Sequence, residues 1–486
     1  MNPLTASRTS LVFLLVAMLA AFGCAPKRFT AEARADALAE IKYRVAASRD
    51  LGSHPGPRSA SISPGFDDAV RDAPDSEEFR RALVRYIDQL NDGHAGVTAP
   101  DSSWRAIARA SLTHLDGRAW LRCIPPADQS PTPTLQWFEV TEVDGYAYNR
   151  PGVVTELLHC PSPRNVVVRG RSASGEPVEL PLSLAAESWG AGTFYLAGAR
   201  DGAVMRQLPR AAYPAREDTP SIARAWKLGE RGEVGYIWVS AMDGKGRSFA
   251  TEVLCFLGIR PCRDRRDIQR AAHTLMDCES IIIDLQGNPG GSCHHAGQLV
   301  YELLPPSMPR VPFSHVDRGE SLRGTHRWKV APPAGRFSGR LVVLADDNTA
   351  SAAEHVVACL KGVNSVTIIG ARTAGAEFSQ RSSNVGFGMK VYWGGLPTVW
   401  DPGFHSAEQH PVQPDIEVPL DAALLSDKGP VVAARDRRRR TVETSLRILG
   451  VDPAVFLLPK PPTDSAPSLG TESPLGQDQK GKITPP

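Results

Sequence analysis

The stretch that decides the fold reads RLVVLADDNTASAAEHVVACLKG and covers residues 340–362. Its first half, LVVL, predicts a buried strand, and AAEHVVACLKG predicts a helix, so Ser351 stands where a strand turns into a helix. Ser351 and Glu354, three residues apart, have the spacing of a capping box, which satisfies amide groups at a helix N-terminus. A serine at this place can also serve as a nucleophile. The stretch by itself allows both interpretations.

Strands and helices alternate around this stretch. Between about residues 235 and 370 the pattern switches repeatedly between buried strand and helix, which indicates an α/β core. Residues 100–235 lean toward β structure, and NVVVRGRSASGEPVELPL (165–182) has the pattern of a hairpin. Residues 30–91 are predicted to be helical, with Ser76 as the cap of the second helix.

Composition narrows the class of protein. The chain of 486 residues has a formal net charge of +2 and the composition of a globular protein of about three domains. The dense basic run RDRRRR (435–440) is predicted to be a solvated helix face, and no nucleic-acid partner is expected. Neither GxxxxGK[ST] nor GxGxxG occurs, so no nucleotide cofactor is suggested. The Pro-, Ser- and Gly-rich tail from about residue 460 is predicted to be disordered.

The N-terminus has the pattern of an export signal. Arg8 precedes LVFLLVAMLAAFG (11–23), an apolar run too short for a comfortable membrane span and typical of a signal peptide. The run ends in Gly23-Cys24, which resembles the bacterial lipoprotein cleavage box. We therefore expect Cys24 to carry a lipid that anchors the protein in the periplasm or outer membrane of a bacterial envelope. The alternative is an ordinary signal peptide followed by an incidental cysteine.

Seven further cysteines follow Cys24 in the sequence. In an oxidising compartment some could pair, with Cys255 and Cys262 closing the shortest loop, and an odd number leaves at least one free. The run SCHH (292–295) has no second cluster of ligands to complete a metal site, so no metal is expected.

Four segments place polar or glycine-rich turns at the ends of apolar elements. They are NDGHAGV (91–97), IIIDLQGNPGG (281–291), NTASAAE (348–354) and EQHPVQPDI (408–416). Each alone has an ordinary explanation as a turn, a tight loop, a helix cap or a surface acid. Together they supply the hydroxyl, the imidazole, the acid and the backbone amides that acyl transfer needs.

The parts have specific candidates. Ser351 would be the nucleophile and His94 the base that takes its proton, with Glu408 orienting the imidazole. The N–H of Ala352 would face the oxyanion. A second N–H would come from the glycine loop, for which Gly290 is the candidate, with its neighbour Gly291 as the other possibility.

The order of these segments and the residues within them resemble those of the tail-specific (C-terminal processing) serine peptidases and their relatives, the tricorn core proteases. The resemblance runs over most of residues 75–420. IIIDLQGNPGG is similar to that family's strand and loop, with Gln286 where arginine is usual, and NTASAAE is similar to its nucleophile segment. VGYIWV (234–239) resembles the strand that opens the catalytic domain. FEVTEVDGYAY (138–148) and the hairpin after it resemble the second half of a PDZ module.

This resemblance implies an α/β fold of the ClpP/crotonase type, with an N-terminal helical region and a degenerate PDZ-like β-rich module. The implied divisions of the chain are a lipoprotein signal peptide (1–24), an N-terminal helical region (25–98), the β-rich module (99–188), the serine peptidase domain (189–425), and a C-terminal helix with a disordered tail (426–486).

One departure bears on the mechanism. The processing-peptidase branch uses a Ser-Lys dyad, and the matching stretch here, IIGARTAGAEF (368–378), has Ala376 at the lysine position. The sequence instead resembles the tricorn-like branch, in which a histidine from an upstream turn is the base and a glutamate near the end of the domain assists it. His94 and Glu408 match these positions, although Gly93 replaces a serine and Pro411 replaces a glycine.

Three other histidines are candidates of lower rank. His405 and His410 flank Glu408 and are backups for the base, whereas His355, one turn into the nucleophile helix, is expected to pack or face solvent.

The resemblance implies an exported, lipid-anchored serine endopeptidase that needs no metal or organic cofactor. Its partners would be polypeptides, in particular unfolded or C-terminal segments, and the oligomeric state is left open. Two alternatives remain: a catalytically inactive lipoprotein that uses the fold for binding or as a scaffold, and a hydrolase of a non-peptide ester or thioester, which no GxSxG elbow supports.

Overall fold

The computed structural model describes fourteen segments of the chain. They are residues 29–49, 64–98, 110–123, 137–158, 164–184, 195–196, 223–229, 232–242, 263–303, 313–314, 337–377, 380–395, 399–400 and 410–456.

The helices are α1 (Ala31–Arg49), α2 (Pro64–Arg71), α3 (Ser76–Asp88), α4 (Pro151–Leu158), α5 (Arg263–Thr274), α6 (Cys293–Glu302), α7 (Ala352–Leu360), α8 (Ala422–Lys428) and α9 (Pro430–Ile448), followed by a 3₁₀ turn at Pro453–Phe456. The strands are β1 (Gly96–Thr98), β2 (Ala110–Leu115), β3 (Arg118–Cys123), β4 (Phe138–Val143), β5 (Tyr146–Ala147), β6 (Arg164–Ser172), β7 (Pro177–Leu184), β8 (Tyr195–Leu196), β9 (Ala223–Leu228), β10 (Val234–Val239), β11 (Ser280–Asp284), β12 (Phe313–Ser314), β13 (Arg340–Ala345), β14 (Val366–Gly370), β15 (Gln380–Gly386), β16 (Met389–Gly394), β17 (Val399–Trp400) and β18 (Ile416–Glu417).

A six-stranded sheet carries the site, with its strands in the order β18-β14-β13-β11-β10-β9. All neighbours in it run parallel except β9 and β10, which are antiparallel. The alternation predicted for residues 235–370 is confirmed, because β10, α5, β11, α6, β13, α7 and β14 follow one another in that order. The carboxyl ends of β11 and β13 therefore lie side by side, and the polar turns after them meet.

Apolar layers cover both faces of this sheet, which explains why its strands read as continuous apolar runs. Ile281 and Ile283 belong to the cluster that contains α5, α6 and α7, whereas Ile282 between them belongs to the cluster with Val442 and Leu446 of α9. Successive residues of a strand point to opposite faces, so one unbroken run serves two cores.

A second, mostly antiparallel sheet has the order β7-β6-β4-β3-β2-β8, with β5 paired to β4. The hairpin predicted at residues 165–182 is confirmed as β6 and β7. The PDZ-like character of residues 99–188 stays a prediction, as do the domain boundaries. A third sheet, β1-β16-β15, joins the N-terminal region to residues 380–394 through the pairing of β1 with β16.

The N-terminal helices were predicted correctly, with one shift. Asp75, and not Ser76, caps α3, because its carboxylate accepts hydrogen bonds from the N–H groups of Glu77 and Glu78 at 2.9 and 2.8 Å. Ser76 is the first helical residue.

The prediction of a solvated face at residues 435–440 was wrong for the centre of that run. Arg437 is 3% exposed and pairs with Asp116 and Asp347, and Arg438 pairs with Asp346. The arginines of a basic run stay in solvent only where the fold brings no carboxylates to them. Here the turn after β13 and the turn between β2 and β3 supply those carboxylates.

The signal-peptide region and the tail from residue 460 lie outside the described residues. Within the segments that are described, no helix has the length and apolar character needed to cross a bilayer.

Candidate active site

Ser351 occupies the turn between β13 and α7 in a strained backbone conformation. Its φ of 53° and ψ of −125° are unusual for a residue with a side chain, and an ordinary N-cap adopts the extended region instead. A serine held at a sharp strand-to-helix turn presents its hydroxyl outward, as in the nucleophile elbow of other hydrolases. Capping alone does not need this geometry.

The glycine loop after β11 lies directly against Ser351. A Cβ added to Gly290 would stand 2.5 Å from the Ser351 Cβ and 2.9 Å from the Ala352 nitrogen, so only glycine fits there. Asn288 holds the loop in place: it is fully buried, donates to the Val239 carbonyl at 2.9 Å, and accepts through its backbone oxygen from Ala350 at 3.0 Å.

The hydrogen bonds of the glycine loop bear on the choice between Gly290 and Gly291 as the second oxyanion donor, which stays a prediction. The Gly290 N–H donates to Oδ1 of Asn288 at 2.9 Å, so it is already used inside the loop. The N–H groups of Gly291 and Ala352 have no acceptor among the described residues. Ala352 thus keeps its predicted position at the start of α7, and Gly291 is the better second donor.

His94 lies in the turn between α3 and β1. The buried Asp92 carboxylate fixes this turn by accepting the His94 N–H at 2.9 Å and the Gly394 N–H, from the end of β16, at 2.5 Å. Gly93 packs against Ala376, where an added Cβ would overlap the Ala376 Cβ. The Ala376 carbonyl in turn accepts the Ser351 N–H at 2.7 Å. The His94 turn and the Ser351 turn therefore both contact Ala376.

Burial lowers the pKa of His94 below its usual 6.5. Asp92 and Glu377 act in the opposite direction, and His355 adds to the lowering. Since the pKa is depressed, the imidazole is neutral at pH 7 and able to accept a proton.

His355 is fully buried, contrary to any solvent-facing role, and forms an ion pair with the fully buried Glu377. Its Nε2 lies 3.2 Å from Oε1 of Glu377. Burial alone would lower the pKa of His355, but Cys293 and Glu377 together raise it to about 10. The raised pKa favours the imidazolium form of His355, so His94, whose pKa is lowered, is the better candidate for the base.

Sequence reasoning missed this pair. His355 follows Ser351 by one helical turn, and Glu377 directly follows Ala376. Each residue therefore lies near a position that the sequence motifs had already indicated.

Glu354 ties the start of α7 to the segment after β14. Its buried carboxylate accepts N–H groups from Ser351 at 3.1 Å, Gly375 at 2.7 Å and Ala376 at 2.8 Å. Burial raises the pKa of Glu354 to about 7, against the effect of the donors around it. The bond from the Ser351 N–H to the Glu354 carboxylate is one of the two hydrogen bonds of the predicted capping box. The bonds from Gly375 and Ala376 add the segment after β14, and we call these three bonds to Glu354 the clamp.

The placement of the remaining predicted residues stays a prediction. Glu408, Cys24, Cys255, Cys262 and His405 lie outside the described residues. His410 is exposed. Among the described residues Cys278 and Cys359 form no disulfide, and no group of His, Cys, Asp and Glu is arranged to hold a metal.

Comparison with known proteins agrees with the geometry. Residues 233–418 match the model of Peptidase family S41, which confirms the resemblance inferred from the motifs. A protein of Streptomyces coelicolor named as a tricorn protease homolog is 24% identical over 371 residues, which are 71% of this chain. The match spans 27% of that protein's length.

Solved structures share the fold. Mature CPAF complexed with lactacystin is 16% identical, covers 86% of this chain and 99% of its own, and superposes with a TM-score of 0.53. Another structure of mature CPAF gives the same TM-score at 15% identity, over 86% of this chain and 98% of its own. The expected mixed α/β peptidase fold is confirmed by this likeness.

Proposed function

We propose that the Peptidase family S41 domain of this chain makes it an exported, lipid-anchored serine endopeptidase that works through a Ser-His-Glu mechanism. The observation that carries the proposal is the strained Ser351, held at a strand-to-helix turn beside two unused backbone N–H groups. Strain of this kind persists where the surrounding structure fixes it for a task.

The proposed chemistry gives each of these groups one role. The Ser351 Oγ attacks the scissile carbonyl carbon while His94 takes the hydroxyl proton, and the N–H groups of Ala352 and Gly291 receive the oxyanion. As the C–N bond breaks, His94 returns the proton to the leaving amine. Water then attacks the acyl-enzyme, with His94 again as the base.

Two facts favour His94 as the base. The lysine position of the Ser-Lys branch holds Ala376, whose side chain is in contact with Gly93. The pKa of the second histidine, His355, is raised by Cys293 and Glu377, which disfavours its neutral form. Glu408 is proposed as the acid that orients the His94 imidazolium, on the strength of its segment's resemblance.

Polypeptides are the proposed substrates, since a Peptidase family S41 domain implies them. Preference for unfolded or C-terminal segments is proposed from the PDZ-like pattern of residues 138–182. Export and lipid anchoring at Cys24 are proposed from the sequence of residues 8–24.

Fluorophosphonate labelling tests the function. We expect the mature protein to be labelled, Ser351→Ala to abolish labelling, and His94→Ala to reduce it by about 100-fold or more, because a base typically contributes 10²–10⁴. His410→Ala is the matched control, since His410 is exposed, and we expect it to label like the wild type. A well-folded wild type that neither labels nor cleaves an unfolded polypeptide would favour the binding or scaffold alternative instead.

The pH dependence separates a histidine base from a lysine base. Because the pKa of His94 lies below 6.5, its neutral form survives on mild acidification, and activity should hold down to about pH 6.5. Activity should then fall as the pH drops through the lowered pKa. The measurement is kcat/KM from pH 4 to 9, and an activity that already falls as the pH is lowered through about 8 would point to an amine base.

A further inference from the structure

The two oxyanion donors of the proposed mechanism come from different segments of the chain. Gly291 belongs to the glycine loop after β11, and Ala352 begins α7, after the turn that follows β13. A backbone N–H stabilises a developing negative charge only where it lies within hydrogen-bond distance of the place where that charge forms. The bonds that join the loop to the turn are therefore part of the site.

Asp346, the first residue after β13, makes such a bond. Its Oδ1 accepts the N–H of Gly287, four residues before Gly291 in the glycine loop, at 2.8 Å. The same oxygen accepts the N–H of Asn348, inside the nucleophile turn (residues 346–351), at 3.0 Å. Asp346 is 2% exposed. One buried carboxylate oxygen thus holds both segments.

Arg438 of α9 holds the other oxygen of this carboxylate. Its Nε and Nη2 both lie 2.9 Å from Oδ2 of Asp346, and its side chain is 19% exposed. The guanidinium also lies over Gly287, because a Cβ added to this glycine would stand 2.5 Å from Nη2. Arg438 is therefore in contact with the glycine loop as well as with the carboxylate.

The charge of Arg438 keeps Asp346 ionised. Burial alone would raise the pKa of Asp346, but Arg438 and the N–H of Gly287 bring it below its usual value. The carboxylate is therefore charged at neutral pH, and hydrogen bonds to a charged acceptor are shorter and stronger than neutral ones. The bond from Gly287 gains from this charge.

Two neutral hydrogen bonds complete the junction of the loop and the turn. Oγ1 of Thr349 donates to the Leu285 carbonyl at 2.9 Å, and the N–H of Ala350 donates to the Asn288 carbonyl at 3.0 Å. Both run directly between the two segments. The bond through Asp346 differs from them because the carboxylate is held in place by a cation from a third element, α9.

We propose that Arg438 is a positioning residue of the active site, which acts through Asp346 to hold the glycine loop at the distance from the nucleophile turn that the oxyanion needs. The inference rests on the proposed function, since it concerns the rate of the same reaction. It also gives the basic run at residues 435–440 a role at the site.

The rate of fluorophosphonate labelling tests this role, because the final extent of labelling counts the folded sites whereas the rate measures their reactivity. We expect Arg438→Met to reach the wild-type extent at least about 10-fold more slowly, since loss of a whole oxyanion donor costs about 10²–10³ in rate. With an unfolded polypeptide as the substrate, kcat should fall while KM stays unchanged.

Two further variants separate the charge of Arg438 from a general disturbance of α9. Both nitrogens of Arg438 lie beside the same oxygen, so the single ammonium of Arg438→Lys can replace them and should restore most of the rate. Arg439→Met is the matched control, since Arg439 is the next residue of α9 and pairs with Asp436 and Glu443 of its own helix. Its labelling rate should equal that of the wild type.

Rate and extent together decide between a positioning role and a merely structural one. A folded Arg438→Met protein that labels at the wild-type rate overturns the proposal. A reduced extent at an unchanged rate also overturns it, because that result indicates a structural role alone. An Arg438→Lys protein as slow as Arg438→Met overturns the role of the charge.

Asp346→Asn takes the place of Arg438→Met if that variant does not fold, since loss of Arg438 leaves Asp346 buried without its countercharge. An amide offers one acceptor oxygen where the carboxylate offers two, so Asp346→Asn should also label fully but slowly, and an unchanged rate overturns the proposal. A folded wild type that does not label at all contradicts the proposed function itself, and the inference fails with it.

Discussion

At the scale of single residues, the smallest side chains of the site determine its chemistry. Gly93 and Ala376 are in contact, and Gly93 has no room for a side chain. The turn that carries His94 therefore occupies the space into which a lysine at residue 376 would extend. A histidine base and a lysine base exclude each other at this place for steric reasons.

Ala376→Lys should consequently disable the site. We expect loss of fluorophosphonate labelling and a free energy of unfolding lower by about 1–3 kcal/mol, because the new side chain must displace the His94 turn. Ala374→Lys is the matched control, since Ala374 is exposed two residues earlier, and it should behave like the wild type. Labelling and urea unfolding of both variants check this, and a stable, fully labelled Ala376→Lys protein would contradict the steric argument.

Residue-level prediction from the sequence succeeded where a local pattern carried the information. Ser351 stands at a strand-to-helix turn, as expected, and its helix begins at Ala352. Gly290 as a donor stays a prediction, but a side chain two residues away, Asn288, accepts its N–H, and spacing alone does not reveal that bond. His355 and Glu377 meet only because β14 returns the chain to α7.

At the scale of elements, Glu354 joins two segments that the nucleophile turn needs. Its carboxylate holds N–H groups of Ser351, Gly375 and Ala376, so the start of α7 and the segment after β14 move together. Loss of the acceptor would leave the N–H groups of Gly375 and Ala376 unsatisfied in a buried place, each at a cost of about 1–3 kcal/mol, whereas the Ser351 N–H would keep its bond to the Ala376 carbonyl.

Two substitutions separate the shape of this clamp from its charge. Glu354→Ala should destabilise the protein by about 3 kcal/mol or more. Glu354→Gln keeps one oxygen acceptor and should destabilise it less. Urea denaturation at pH 5 measures the free energy of unfolding of both variants. Equal stability of the wild type and the alanine variant would show that the clamp does not stabilise the fold.

The clamp also has a pH signature. Because the pKa of Glu354 is raised to about 7, the folded protein binds a proton there more tightly than the unfolded chain, and its stability falls as the pH rises from about 4.5 to 7. Glutamine does not titrate. The advantage of the wild type over Glu354→Gln should therefore be smaller at pH 8 than at pH 5, and an advantage that grows with pH would contradict the assignment.

Elements were predicted better than their contacts. The spacing of apolar residues and the positions of turn residues were enough to predict α1, α3, α7, the β6–β7 hairpin and the alternating core. The burial of the basic run in α9 was missed, because the carboxylates that receive Arg437 come from residues 116 and 347, far away in the sequence. A pattern of charge along one helix carries no information about such partners.

At the scale of the whole molecule, Arg437 joins three parts of the chain. Its guanidinium lies 2.5 Å from Oδ1 of Asp116, in the turn between β2 and β3, and 2.6 Å from Oδ1 of Asp347, four residues before Ser351. The Asp116 N–H also donates to Asp347. One buried cation on α9 thus connects the β-rich sheet, the C-terminal helix and the nucleophile turn.

Arg437→Met should therefore weaken the whole fold. Removal of one partner leaves Asp347 buried without its countercharge, which typically costs about 3–5 kcal/mol. Arg439→Met is the matched control on the same helix. Arg439 is about one-third exposed and pairs only with Asp436 and Glu443 of its own helix, so its loss should cost at most about 1 kcal/mol.

The pH dependence of this loss follows from Asp347. Burial raises its pKa to about 6 even though Arg437 opposes the rise, so removal of Arg437 must raise the pKa further. At pH 5 the variant can keep Asp347 protonated and so avoid an unpaired buried charge. At pH 8 the variant must either bury an unpaired Asp347 carboxylate or keep a proton on it against the pH of the solvent, and both cost free energy. The destabilisation by Arg437→Met, measured as the difference in free energy of unfolding from the wild type, should thus be larger at pH 8 than at pH 5. A loss that is the same at both pH values, or equal to that of Arg439→Met, would mean that Arg437 does not neutralise Asp347.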